Sequence, residues 1–187
     1  MPRHAKTDLN SYSVIASPIG SIALLAGGRG LRAVFICSDA EELRRSLEES
    51  YPGLAEASNA LHEKARTQIE EYFGGRRTGF TLDLDLSTLS PFRRRALHAL
   101  SRVPFGEFVS YGELALRLDP PSAARAIGGA MACNPLPLIL PCHRVLGKNG
   151  SLTGYSGGEG VATKAWLLDF EQRMKTKLQN GAQHYMR

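Results

Sequence analysis

Between Ser11 and Ser38 the chain reads SYSVIASPIGSIALLAGGRGLRAVFICS, three short apolar or alternating runs parted by Pro-Ile-Gly and Gly-Gly-Arg-Gly. Turn residues between runs rich in β-branched side chains predict a three-stranded antiparallel meander. AEELRRSLEES and LHEKARTQIEEYF repeat their apolar positions at helical spacing with charge on the outer face, and GFTLDLDLS alternates like a half-exposed strand. Together these elements predict a small α/β domain over residues 1–87.

The pattern then changes. Ser90 followed by Pro91 is a helix start, an N-cap with proline at the first helical position, leading into FRRRALHALSR. Ser110 and Glu113 fit a capping box for a short helix through about Leu118. Asp119-Pro120-Pro121 breaks it, and Ser122 can cap a second helix running to about Cys133. Two helices joined by a tight turn look like a helix-turn-helix. GKNGSLTGYSGGEG reads as a glycine-rich loop and ATKAWLLDFEQRMK as an amphipathic helix. The second domain, residues 88–187, is therefore expected to be mostly helical.

The helix after Ser122 is unusually slim. Ala123, Ala124, Ala126, Gly128, Gly129, Ala130 and Ala132 leave Arg125, Ile127 and Met131 as its large side chains. Two interior glycines cost about 1 kcal/mol each relative to alanine, so tight packing against a neighbouring helix is one explanation. The other is entry into a minor groove about 6 Å wide, which a helix about 10–12 Å across would not fit. Arg125 is open to three readings, a surface charge, a phosphate contact or a side chain inserted into a base stack.

Length and composition bound the rest. The 187 residues suffice for one large or two small domains with real cores, which argues against a peptide-like or disordered role. No apolar run approaches the roughly 18 residues of a membrane span, and MPRHAKTDLN lacks a secretory signal's apolar middle, so the expected location is intracellular. Residues 1–90 hold 10 Lys/Arg against 12 Asp/Glu, net −2, and residues 91–187 hold 13 against 6, net +7, giving the +5 of the whole. A basic second half suits a polyanionic partner, although many basic faces are simply solvated.

The three cysteines, Cys37, Cys133 and Cys142, form no C-x-x-C pair, and neither a disulfide framework nor a structural zinc site is supported. Cys37 ends an apolar run and reads as a small buried residue. Cys142 lies in LILPCHRVLG, next to His143 and Arg144. Packing residue, metal ligand, redox thiol and nucleophile are all open to it, and local composition alone favours a buried thiol beside a hydrogen-bonded histidine. Neighbouring side chains diverge in regular structure, so a base role for His143 needs a bridging water or irregular backbone. The prolines at 135, 137 and 141 stiffen the approach.

SYGELA, ARAIGGAM, NPLPLILPCHRV, GYSGG and KAWLLDFE, in that order from Ser110 through Glu171, closely resemble the O6-alkylguanine-DNA alkyltransferases, or methylated-DNA–protein-cysteine methyltransferases. SPIGSIALLAGGRGLRAV is similar to that family's first domain. The resemblance implies an α/β (α+β) fold, with a ribonuclease-H-like supporting domain before a winged-helix-like domain that binds DNA and accepts the alkyl group. It implies stoichiometric, single-use transfer of an alkyl group from O6 of a flipped-out guanine to Cys142, with O4 of thymine a further substrate. No cofactor and no metal are implied. The partner is double-stranded DNA containing O6-alkylguanine, met by a monomer in the cytoplasm, or the nucleus of a eukaryote.

By the same resemblance His143 is the water-mediated base, Glu171 orients it, Asn134 buttresses the site, and Tyr111 rotates the nucleotide and donates a proton. Arg125 fills the gap in the stack, with Ala124, Ala126, Gly128, Gly129 and Tyr111 along the DNA. Met131, Val145, Tyr155, Ser156, Gly157 and Lys164 form the pocket. Transfer to sulfur requires a lowered cysteine pKa and fixed geometry. Some relatives carry a zinc site in the first domain, for which Cys37, His4 and His62 are no matching set. SGGEGVAT exceeds the length in some relatives, and Cys133 stands where a glycine or small residue is usual. Three rival readings are a damage sensor lacking the cysteine, a helix-turn-helix regulator, and a cysteine hydrolase. Cys142 opposes the first, the Ala/Gly helix the second, and the want of an oxyanion motif the third.

Overall fold

The computed structural model describes residues 9–118 and 123–184. Strands β1 (Leu9–Ser17), β2 (Gly20–Gly27) and β3 (Gly30–Cys37) form the antiparallel meander that the turns predict. β4 (Ala55–Glu56) adds a short parallel edge, giving the order β3-β2-β1-β4. The run Ile22-Ala23-Leu24-Leu25-Ala26 is apolar throughout because the sheet is covered on both faces. Ala23 and Leu25 pack with Leu43 and Leu47 of helix α1 (Ala40–Ser50), while Ile22 and Leu24 face helix α2 (Ala60–Phe73) and the second half of the chain.

The alternating segment GFTLDLDLS does not become a sheet strand; it runs extended and bridges β3 only at Leu84, opposite Leu31. Two buried side chains replace the ladder. The Gln68 amide of α2 bonds Thr81 on both its backbone N–H and its hydroxyl, at 2.8 and 3.0 Å. Asp85 turns inward to pair with buried Arg32 and to accept from Ser87 N at 3.0 Å. Gly30, at φ +140°, admits the Asp83 carbonyl at a position where a Cβ would lie 2.5 Å from its oxygen.

Helix α3 (Pro91–Ser101) starts on the Ser90 cap, whose hydroxyl accepts from Arg93 N. Strand β5 (Val109–Ser110) leads into helix α4 (Tyr111–Leu116), where both halves of the Ser110–Glu113 capping box are made. α4 ends earlier than expected because Arg117 and Leu118 bond three residues back and tighten the last turn. Helix α5 (Ala124–Ala132) has Ala123 at its N-cap with no side-chain cap; Ser122 and the Asp119-Pro120-Pro121 break, like His4, lie outside the described residues. α4 and α5 pack together and against α3, as the two helices of the expected helix-turn-helix would. A 3₁₀ turn at Cys142–Arg144 runs into β6 (Val145–Leu146), which pairs in parallel with β5. Helix α6 (Val161–His184) closes the described chain. Among the described residues no helix is long and apolar enough to cross a membrane.

The two halves share one core. Val34 N of edge strand β3 donates to Pro135 O at 2.8 Å, Gly158 N donates to Ile36 O at 3.0 Å, and Leu24, Tyr72, Leu97, Ile127, Leu136, Cys142 and Leu167 belong to one apolar cluster. β3 thereby grips the segments on either side of the cysteine.

Candidate active site

The segment before Cys142 is held by its own irregular bonds. Asn134 accepts from Leu136 N at 3.1 Å and donates to Leu140 O at 2.8 Å, and Leu140 N bonds Leu136 O at 2.8 Å. Between them Leu138 is buried at φ +73°, a left-handed conformation that costs a leucine on the order of 1–2 kcal/mol and must be imposed by this packing. Cys142, His143 and Arg144 then occupy the 3₁₀ turn, the irregular backbone that lets adjacent side chains serve one site.

The centre of that site is the Glu171 carboxylate on α6. Its Oε1 accepts from the Tyr72 hydroxyl at 2.6 Å, His143 Nε2 at 2.8 Å and Arg144 Nη2 at 2.8 Å; its Oε2 accepts from Gly106 N at 2.9 Å and Arg144 Nε at 3.0 Å. Arg144 also donates to Val103 O at 2.7 Å. Burial by itself would raise the Glu171 carboxyl, but the hydrogen bonds and charges of His143 and Arg144 outweigh it and hold it at about 2. An ionised acceptor at Nε2 makes that nitrogen the protonated one. The basic nitrogen of His143 is then Nδ1, which is buried without a protein partner. Burial lowers the imidazole's own pKa, partly countered by Glu171, so the ring is neutral near pH 7.

Cys142 is 4% exposed, and its thiol is raised by burial, with the Asn134 amide and the Lys164 charge acting against that. The lowered pKa expected from the sequence is absent: desolvation outweighs the nearby donors, and the resting sulfur carries its proton. Lys164 is fully buried and donates to Val145 O at 2.6 Å and Thr153 O at 2.8 Å, tying the glycine-rich loop to β6. Tyr155 stands edge-on to the His143 ring at 6.4 Å between centroids, with its buried hydroxyl unpartnered. Ser156 is exposed, whereas Gly157, Met131 and Val145 are buried.

The expected residues fall into two groups. Cys142, His143, Asn134, Glu171, Val145, Tyr155 and Lys164 converge around the 3₁₀ turn. Ala124, Arg125, Ala126 and Gly129 lie exposed along α5, and Tyr111 and Gly128 border an open cavity of about 530 Å³ with Ser110, Gly112, Ala124 and Lys148. A Cβ on Gly128 or Gly129 would meet nothing within 4 Å, so these glycines do not serve packing against a neighbouring helix. The Tyr111 hydroxyl accepts from Thr153 at 3.3 Å and links the two groups. A cavity of about 560 Å³ on another side lies between residues 78–86, α3 and Leu138–Pro141, and Cys142 does not line it. Cys37 and Cys133 are half-buried, Cys37 less enclosed than its apolar run suggests. Nothing in the sequence points to Tyr72 or Gly106, and Arg144 stands out there only as a neighbour of Cys142 and His143.

Two family models match the chain: the 6-O-methylguanine DNA methyltransferase ribonuclease-like domain over residues 10–86, and the DNA binding domain of the same description over residues 91–173. The constitutive methylated-DNA–protein-cysteine methyltransferase of Bacillus subtilis is 34% identical over 169 residues, 88% of this chain and 96% of the relative. The chain belongs to the methylated-DNA–protein-cysteine methyltransferase family. A second member, from Mycolicibacterium paratuberculosis, is 40% identical over 87% of this chain and 92% of its own length. Among solved structures of the family, Mycobacterium tuberculosis OGT in complex with DNA superposes with a TM-score of 0.74 at 35% identity, covering 88% of this chain and 94% of that one. Family membership excludes a helix-turn-helix regulator and a cysteine hydrolase as readings of the fold.

Proposed function

We propose that this protein repairs DNA by moving an alkyl group from O6 of guanine in duplex DNA to Cys142, once per molecule, as a monomer of the cytoplasm or nucleus. Residues 1–87 support the site and residues 88–187 carry DNA binding and alkyl acceptance. The observation that carries the reading is the His143–Glu171 bond. It fixes the proton on Nε2 and leaves a basic Nδ1, without a protein partner, on the residue that follows a cysteine needing to lose its proton. Through a bridging water the Cys142 proton passes to Nδ1. The sulfur then forms a bond to the alkyl carbon as the carbon–O6 bond breaks, and Tyr111 supplies the proton that the departing guanine takes up. The imidazolium formed is stabilised by Glu171, whose charge is already in place. No step regenerates the thiol, because a thioether carbon offers no good leaving group.

The exposed small residues of α5 support minor-groove docking, and Arg125 at its start fills the stack when the damaged nucleotide leaves it. Extrusion costs a few kcal/mol and least for a badly paired base, which favours the lesion over normal guanine. O4-methylthymine presents the same alkyl–oxygen bond and is a second substrate. Titrating a fixed amount of protein with excess O6-methylguanine duplex tests the single-use claim. Repair should stop at one lesion per molecule, and continued turnover would overturn it.

A further inference from the structure

Tyr72 belongs to α2 in the first half of the chain, 99 residues from Glu171 in sequence, yet its hydroxyl lies 2.6 Å from Glu171 Oε1 with both side chains fully buried. A carboxylate oxygen has two lone pairs. Oε1 already receives His143 Nε2 and Arg144 Nη2, both at 2.8 Å, and Arg144 Nε at 3.2 Å, so Tyr72 shares its two lone pairs with His143 and Arg144. The tyrosine ring cannot move aside. Phe73, Phe80, Phe105 and Phe170 surround it with ring centroids 5.2–5.7 Å away. A phenylalanine would fill that space, so packing alone does not account for the hydroxyl.

We infer that Tyr72 is a positioning residue through which the first domain sets the basicity of His143, by drawing off part of the Glu171 charge that would otherwise hold a proton on the imidazole. The inference rests on the proposed role of His143 as base for Cys142. The groups facing His143 and Glu171 are Tyr72 from α2, Cys142 and Arg144 from the 3₁₀ turn, Tyr155 from the loop, and Lys164 and Glu171 from α6. Among them Tyr72 is a neutral donor to the same oxygen as His143. Burial and the Glu171 charge keep its hydroxyl protonated well above the usual tyrosine range, so it remains a donor at every working pH.

The test is the pH dependence of single-turnover alkyl transfer from free O6-benzylguanine, measured on the full chain. Tyr72→Phe should move the acid limb of the rate profile upward by about one pH unit, the scale of one charge-assisted hydrogen bond redistributed. A purely structural role would lower thermal stability and leave that limb unmoved, which would overturn the inference. Wild-type protein labelled at the tyrosine ring carbon bearing the hydroxyl provides a second measurement that needs no variant. The Tyr72 resonance should shift with the same midpoint as the acid limb, and a resonance indifferent to that titration would equally overturn it. A Cys142→Ser control separates the two failures: if it still accepts the benzyl group, the reading of the site is wrong, whereas if only the Tyr72 predictions fail, that reading stands.

Discussion

Glu171 is where the chemistry and stability of single residues meet. Six hydrogen bonds from four residues converge on one buried carboxylate, and removing a charged partner from such a pair typically costs about 3–5 kcal/mol. Arg144→Met should therefore lower unfolding stability by about 3 kcal/mol in a urea titration, and a loss under about 1 kcal/mol would show that His143, Tyr72 and Gly106 suffice. Arg125 lies at the other extreme. It is exposed at the start of α5, so Arg125→Ala should leave stability and reaction with free O6-benzylguanine unchanged while weakening duplex repair on the order of tenfold, read as rates on the two substrates. The motif order made Cys142, His143 and Glu171 legible as a set. Tyr72 was not, because the partner of a helix residue 99 positions away leaves no local pattern, and LHEKARTQIEEYF reads equally well with that tyrosine as plain core. The raised Cys142 thiol was hidden for a related reason, since desolvation depends on what surrounds the sulfur in three dimensions.

At the scale of elements, patterning gave the meander, α1, α2, α3 and the Ser110 capping box, all set by neighbours within a few residues. GFTLDLDLS failed as a strand because its polar positions look like solvent-facing ones, while Asp85 and Thr81 are claimed by Arg32 and Gln68 from elsewhere in the chain. The brief β4, β5 and β6, two residues each, carry too little sequence to announce themselves. In α5 composition showed a slim helix and left its purpose divided, and the open space around Gly128 and Gly129 removes the packing explanation. Gly129→Ala should stabilise the protein by up to about 1 kcal/mol through helix propensity. Gly129→Leu should keep the fold and weaken duplex binding on the order of tenfold, because the added branch widens a helix that has to fit a groove about 6 Å across. Fluorescence anisotropy with a labelled duplex checks this, and unchanged binding by the leucine variant would reject minor-groove docking of this face.

For the whole molecule, one apolar cluster spans both halves, β3 bonds to Pro135 and Gly158, and Tyr72 reaches Glu171, so the site's geometry depends on the first half being folded. The same burial makes stability depend on pH in a defined direction. His62 and His143 are both lowered from 6.5 by burial, so below that value the unfolded chain binds protons that the native state refuses. Stability conferred by these neutral rings is present above pH 6.5 and falls as the pH drops through it. Glu171 adds a second loss as the pH falls from 4.5 toward 2, where its native pairing is protonated away. The urea midpoint should therefore decline from pH 8 to pH 5.5 and more steeply below pH 4.5, and a flat profile down to pH 5.5 would contradict the buried-histidine account. The central claim concerns one sulfur atom. Incubation with duplex DNA containing O6-methylguanine, followed by mass spectrometry of the peptide bearing Cys142, should find one added methyl group on that residue and none on Cys37 or Cys133. Repaired DNA with an unmodified Cys142, or a methyl group on another residue, would contradict it.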